Sequence, residues 1–99
     1  MISILYVDDE PDFVDLCRIY LEKQKDFTID SSNLATDALK KVAGATYDII
    51  ISDYQMPGMN GIEFLKNVRN NYGDIPFILF TGRGREDVVI DALNNGADF

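Results

Sequence analysis

Short apolar runs alternate along the chain with longer amphipathic segments. The runs fall at Ile2–Val7, Phe27–Ser31, Asp48–Ser52 and Pro76–Phe80, each of strand length. Three stretches, Ile2–Val7, Ile49–Ile51 and Phe77–Phe80, are nearly unbroken, which is the pattern of parallel strands covered on both faces. Phe27-Thr28-Ile29-Asp30-Ser31 alternates and ends polar, as an edge strand does. Helical stripes lie between the runs. The first comprises Phe13, Val14, Leu16, Cys17, Tyr20 and Leu21, with Pro11 where a first helical turn tolerates it. The second is Leu34, Ala35, Ala38, Leu39 and Val42, ended by Gly44. Ile62, Phe64, Leu65 and Val68 form a third, ended near Tyr72-Gly73, and Val88, Val89, Ala92 and Leu93 a fourth, ended by Asn94-Asn95-Gly96. The order βαβαβαβα predicts one α/β sheet with right-handed crossovers. No repeat, low-complexity tract or linker divides the chain, so residues 1–99 read as one domain. Gly96-Ala97-Asp98-Phe99 has the look of an entry into a fifth strand, and we expect a piece that stops before a fifth strand and a fifth helix.

Composition narrows the function. The 99 residues are 46% hydrophobic and 26% charged, the balance of a soluble globular domain. Nine basic against 17 acidic residues give a net charge of −8, which argues against nucleic-acid binding by this segment. The acids are mostly Asp, and there is no His, so histidine acid–base chemistry and histidine metal ligands are excluded within the chain. The single Cys17 allows no internal disulfide and is expected to be a small buried apolar side chain. The first apolar run is only a strand long, lacks a basic leader and meets Asp8-Asp9-Glu10 at once. It reads as neither signal peptide nor membrane span, and a cytoplasmic location is expected.

The informative feature is where the aspartates fall. Strand one ends in Asp8-Asp9, strand three in Asp53 and strand four in Thr81. Open α/β sheets bind ligands beyond the carboxyl ends of their strands, where the winding reverses. If helix one leads outward to strand two and helix two returns across strand one, the reversal lies between strands one and three. Neighbouring strands are about 4.8 Å apart, so Asp8, Asp9 and Asp53 can share a ligand. Carboxylates this close repel one another and call for a cation; all-oxygen ligation suits Mg²⁺ or Mn²⁺. The bland alternative is a set of ordinary surface acids.

These residues carry a family resemblance. Ile4-Leu5-Tyr6-Val7-Asp8-Asp9-Glu10, the stretch from Asp48 through Asp53-Tyr54-Gln55-Met56-Pro57-Gly58-Met59-Asn60-Gly61, and Pro76-Phe77-Ile78-Leu79-Phe80-Thr81-Gly82 resemble the receiver domain of two-component response regulators. Ala92-Leu93-Asn94-Asn95-Gly96-Ala97-Asp98 also fits, so the resemblance spans the chain. It implies a flavodoxin-like open parallel sheet of order 2-1-3-4, with strand five and helix five missing. It implies Asp53 as phosphoacceptor, Asp9 as direct Mg²⁺ ligand, Asp8 as an acid acting through water, and the Gln55 carbonyl as a further ligand. It also implies that Thr81 donates its hydroxyl to the phosphoryl group and that Gly82 leaves room for it. Gln55 and Arg83 occupy positions that influence phosphoryl lifetime in receivers. Pro57 fixes φ, and the glycines of Gly58-Met59-Asn60-Gly61 are expected to permit positive φ.

The implied partner is a histidine kinase or phosphotransfer domain, with the Thr81 loop and helix four as the responsive surface. The resemblance also implies that catalysis is confined to the domain's own phosphorylation and dephosphorylation. Receivers carry a strand-five lysine that pairs with the phosphoryl group; Lys23, Lys25, Lys40, Lys41 and Lys66 are unsuitably placed. Strand four is then expected as an open edge that invites homodimerisation. Two other readings stay open. A degenerate receiver would act as an interaction module, and a Mg²⁺-dependent phosphohydrolase would also use an Asp nucleophile. The second is disfavoured by Gln55, where those enzymes tend to have a second acid. Gly82-Arg83-Gly84-Arg85 lacks the ending of a Walker motif and reads as a loop before helix four.

Overall fold

The computed structural model describes residues 2–23, 26–81 and 86–98; for residues 11–14, 17, 21 and 86 it describes the backbone alone. The elements run β1 (Ile2–Val7), α1 (Pro11–Glu22), β2 (Phe27–Ser32), α2 (Ala35–Gly44), β3 (Ile49–Asp53), α3 (Gly61–Tyr72), β4 (Phe77–Phe80) and α4 (Glu86–Asn94). They agree with the sequence pattern to within a residue or two. The apolar runs at β3 and β4 begin one residue later than the pattern predicts. β3 also reaches Asp53, because that residue still pairs with Phe80.

The strands form a four-stranded sheet of order β2-β1-β3-β4, all pairs parallel. The alternating strand β2 lies at the edge, as its polar end requires. The winding reverses between β1 and β3. Asp48 fastens the start of β3 to β1: its carboxylate accepts from the Ser3 N–H at 2.8 Å, and its own N–H donates to the Ser3 carbonyl at 2.8 Å.

The main core lies on one face of the sheet. Leu5, Val7, Ile50 and Phe77 meet Ala35, Ala38 and Val42 of α2, Phe64, Leu65 and Val68 of α3, and Val88 and Ala92 of α4. The other face holds a smaller cluster, Ile4, Tyr6 and Ile29, with α1 against β2. Here the pattern overshoots. Ile49, Ile51, Ile78 and Phe80 are only half-buried, so β3 and β4 are not covered on both faces among the described residues. α1 and α4 also carry more apolar residues than they bury. Leu16 and Tyr20 are 64% and 67% exposed, and Val89 and Leu93 are exposed too. The expected burial of Phe13, Val14, Cys17 and Leu21 lies outside the described side chains.

One arginine ties the end of α3 to the segments around it. Arg69 donates to the carbonyls of Gly73 (3.0 Å), Ile75 (2.8 Å) and Gly96 (2.7 Å) and pairs with Asp98 at 3.6 Å. The backbone N–H of Asp98 donates to the Phe77 carbonyl, and the Phe77 N–H donates to the Asp98 carboxylate, both at 2.9 Å. Asp98 therefore lies beside the start of β4, although Gly96–Asp98 forms no strand among the described residues; Phe99 lies outside the described residues. No helix among the described residues is long and apolar enough to cross a membrane.

Candidate functional site

Because Val7 of β1 sits beside Ser52 of β3, the residues that follow each strand converge. One carboxylate oxygen from each of Asp8, Asp9 and Asp53 lies within 4.8 Å of the others. Asp8 is buried, Asp53 half-buried and Asp9 exposed, so the cluster is rooted in the sheet and opens to solvent at Asp9. A depression lined by Asp9, Tyr54, Gln55, Met56, Pro57 and Asn60 adjoins it.

Both oxygens of Asp8 have donors. Oδ1 accepts from the Glu10 N–H at 3.0 Å, and Oδ2 from the Tyr6 hydroxyl at 3.4 Å. Burial pushes the Asp8 carboxyl above its ordinary value, and the charge of Asp9 adds to this; the Glu10 amide and Tyr6 hydroxyl oppose it. Asp53 is raised for the same leading reason, burial, with the negative charge of Asp8 second; the backbone amides of Tyr54 and Gln55 pull it back. These like charges press on one another, and a cation placed among them relieves the repulsion.

The backbone of Asp53 is held from several sides. Its carbonyl accepts from the buried Ser52 hydroxyl at 2.9 Å. The next N–H, that of Tyr54, donates to the Phe80 carbonyl at 2.9 Å, and the Tyr54 carbonyl accepts from Gly61 at 2.8 Å. The loop between β3 and α3 turns through Gly58, at φ +80°, where a glycine is needed. Gly61 serves otherwise than expected: its φ is not positive, and what matters is the lack of a side chain. A Cβ there would collide with the Asp53 carbonyl and lie 2.6 Å from Leu79 Cδ1. The loop closes in a capping box. The Asn60 carboxamide oxygen accepts from the N–H groups of Ile62 (3.0 Å) and Glu63 (2.9 Å), and Glu63 accepts from the Asn60 N–H at 3.2 Å.

Thr81 follows β4 directly, one residue past the Asp53–Phe80 pair, and is half-buried. Gln55 is exposed at the lip of the depression. Gly82 and the rest of Gly82-Arg83-Gly84-Arg85 lie outside the described residues. Lys41 is engaged away from the cluster, donating to the Ser31 carbonyl and pairing with Asp37 at 3.7 Å. Three contributors escape a reading for acids alone: Tyr6, Ser52 and Gly61. Tyr6 has a local signal, since residues two apart on a strand share a face, and Gly61 stands in the loop motif; Ser52 has none.

A family model described as "Response regulator receiver domain" matches residues 4–99. The chain belongs to the response regulator receiver domain family. The response regulator SaeR of Staphylococcus epidermidis is 37% identical over 98 residues, and SaeR of Staphylococcus aureus 35%. This receiver domain spans 42% of the length of either. Among solved structures, a response regulator receiver domain protein from Clostridium thermocellum superposes with a TM-score of 0.91 at 25% identity, covering 98% of this chain and 78% of that one. TrrA from Thermotoga maritima, solved in complex with Mg²⁺-BeF, gives 0.86 at 33% identity, covering 99% and 83%. The flavodoxin-like sheet expected of a receiver domain is the sheet found, in the order 2-1-3-4.

Proposed function

We propose that this receiver domain is a phosphoryl-accepting signalling switch with Asp53 as the acceptor. The observation that carries the reading is the meeting of Asp8, Asp9 and Asp53 within 4.8 Å at the ends of adjacent parallel strands. Three hard oxygen donors, open on one side, suit Mg²⁺, which keeps water or a phosphate oxygen in part of its shell. Asp8, Asp9 and Asp53 would hold it, with the Gln55 carbonyl as a further ligand. The Mg²⁺ in the TrrA complex supports this choice; Mn²⁺ has no such support and is not proposed. When bound, Mg²⁺ offsets the negative charge that the carboxylates and an incoming phosphoryl group bring together.

In the transfer step, a carboxylate oxygen of Asp53 forms a bond to phosphorus as the bond to the donor's imidazole nitrogen breaks. The bonding pair stays on the departing imidazole, and the product is an acyl phosphate. The protein's part is largely positioning. Ser52 and the Tyr54–Phe80 bond hold the Asp53 backbone, and Glu10 and Tyr6 hold Asp8. Thr81 donates its hydroxyl to a phosphoryl oxygen. The donor is a histidine kinase or phosphotransfer domain. Modification biases the Thr81 segment and α4 between two arrangements, and catalysis does not extend beyond the domain's own phosphorylation and dephosphorylation.

The test is intact mass after incubation with acetyl phosphate, with and without Mg²⁺, beside Asp53→Asn. A Mg²⁺-dependent gain of one phosphoryl group, absent from the variant, is expected. An equal gain in the variant would refute the assignment. No gain in a folded protein that binds Mg²⁺ would favour the interaction-module reading.

A further inference from the structure

We infer that Tyr6 is a positioning residue for the acidic site: its hydroxyl holds the Asp8 carboxylate in the orientation that cation binding requires. This rests on the reading of Asp8, Asp9 and Asp53 as a Mg²⁺ site. Tyr6 and Asp8 are two residues apart, so β1 directs both side chains to the same side of the sheet. The Tyr6 hydroxyl donates to Asp8 Oδ2 at 3.4 Å, while the Glu10 N–H occupies Oδ1 at 3.0 Å. With one donor on each oxygen, the carboxylate plane is fixed, and each oxygen keeps a lone pair for the cation or its water.

The phenol itself has little freedom. Tyr6 is 4% exposed, packs with Ile4 and Ile29, and meets the Phe80 ring at a centroid distance of 6.0 Å and an angle of 33°. A phenylalanine would fill the same space. The hydroxyl's contact with Asp8 is what that substitution would remove. Groups that orient metal ligands act in this way, through the ligand rather than on the ion. Phe80 immediately precedes Thr81, so the ring contact also connects the Asp8 support to the end of β4.

The experiment compares wild type, Tyr6→Phe and, as a remote control, Tyr72→Phe at the exposed end of α3. Mg²⁺ binding is measured by calorimetry, and the tyrosine near-ultraviolet difference spectrum is recorded on adding Mg²⁺. The expected result is Mg²⁺ affinity about 3- to 10-fold weaker in Tyr6→Phe, below the roughly 10- to 100-fold usual for lost ligand-orienting groups because the bond is long. The Mg²⁺-induced tyrosine difference should be equal in wild type and Tyr72→Phe and clearly smaller in Tyr6→Phe, where Tyr54 beside the site still contributes. A merely structural phenol would leave the difference the same size in all three proteins. Unchanged affinity in Tyr6→Phe, or a difference spectrum undiminished by the substitution, overturns the Tyr6 role while leaving the metal site standing. Failure of the wild type itself to bind Mg²⁺ overturns both.

Discussion

Replacing Gly61 with alanine puts a methyl group where the fold has no room. The new Cβ would collide with the carbonyl of Asp53, sit 2.6 Å from Leu79 Cδ1 and lie 3.0 Å from Tyr54 Cα. Leu79 can change rotamer, but the other two atoms are backbone, and the Asp53 carbonyl is already held by Ser52. Relief must come from α3 withdrawing, which loosens Ile62, Phe64, Leu65 and Val68 against the core. Overpacking of this kind costs about 1–3 kcal/mol. Alanine recovers at most about 1 kcal/mol from helix propensity and a less flexible unfolded chain, and less at a first helical residue. With backbone on two sides the cost falls near the top of that range, so the net loss is about 2 kcal/mol, or roughly 10 °C in melting temperature for a domain of this size.

Two other glycines calibrate the result. Gly58→Ala meets nothing within 4 Å but keeps φ +80°, so backbone strain alone should cost about 1–2 kcal/mol. Gly44→Ala has open space and no positive φ and should gain about 0.4–1 kcal/mol. Thermal and urea denaturation of the three variants should therefore place Gly61→Ala lowest and Gly44→Ala highest. Because the displaced atom belongs to Asp53, Gly61→Ala should also lose phosphoryl uptake out of proportion to Gly58→Ala. Wild-type stability and uptake in Gly61→Ala would refute the close-approach argument.

Asp53→Asn should stabilise the Mg²⁺-free protein. Two unit charges within 4.8 Å of each other repel by about 3.5 kcal/mol or more at an effective dielectric of about 20. Solvent around Asp9 and Asp53 reduces this to a gain of about 1 kcal/mol. The pH dependence has a definite sign: Asp8 and Asp53 are both raised above 3.8, so the folded state takes up protons first as pH falls. Their destabilisation is complete above the raised values and is relieved between those and 3.8. Melting without Mg²⁺ should rise as pH drops into that window, and less steeply in Asp53→Asn; equal slopes would count against a coupled cluster. Arg69→Ala should lose about 2–4 kcal/mol in urea denaturation, since three carbonyls lose charged donors, and Arg69→Lys should recover little of it because one ammonium cannot reproduce the fork. A small loss, or full rescue by lysine, would refute that. Burial and the hydrogen bond to Asp30, 2.7 Å long, push the Tyr47 phenol up to about 12. Alkaline absorbance titration should show a late tyrosine that moves down in Asp30→Asn.

The topology and the acidic cluster were legible because both follow from rules with few exceptions. Parallel strands joined by right-handed crossovers leave few strand orders, and the carboxyl ends flanking the reversal must converge. Asp8, Asp9 and Asp53 were thus brought together by position alone. Burial was less legible. The α1 stripe groups Leu16 and Tyr20 with the core, yet both face solvent, because periodicity reveals an apolar face without revealing how much of it a neighbouring element covers. The unbroken runs of β3 and β4 misled in the same way: Ile51 and Ile78 are as apolar as Ile50 but only half-covered. Gly61 was visible as a glycine, but a collision with the Asp53 carbonyl is a three-dimensional fact. Tyr6 showed the right spacing from Asp8, but its hydroxyl contact depends on how the ring packs against Phe80.

The most direct test of the central claim is to locate the phosphoryl group. After Mg²⁺ and acetyl phosphate treatment, borohydride reduces an aspartyl phosphate to homoserine, which tandem mass spectrometry places in the sequence. Homoserine at position 53, dependent on Mg²⁺ and found at no other aspartate, is the predicted result. Homoserine at position 8 or 9, or none in a protein whose mass shows a phosphoryl group gained, would contradict it.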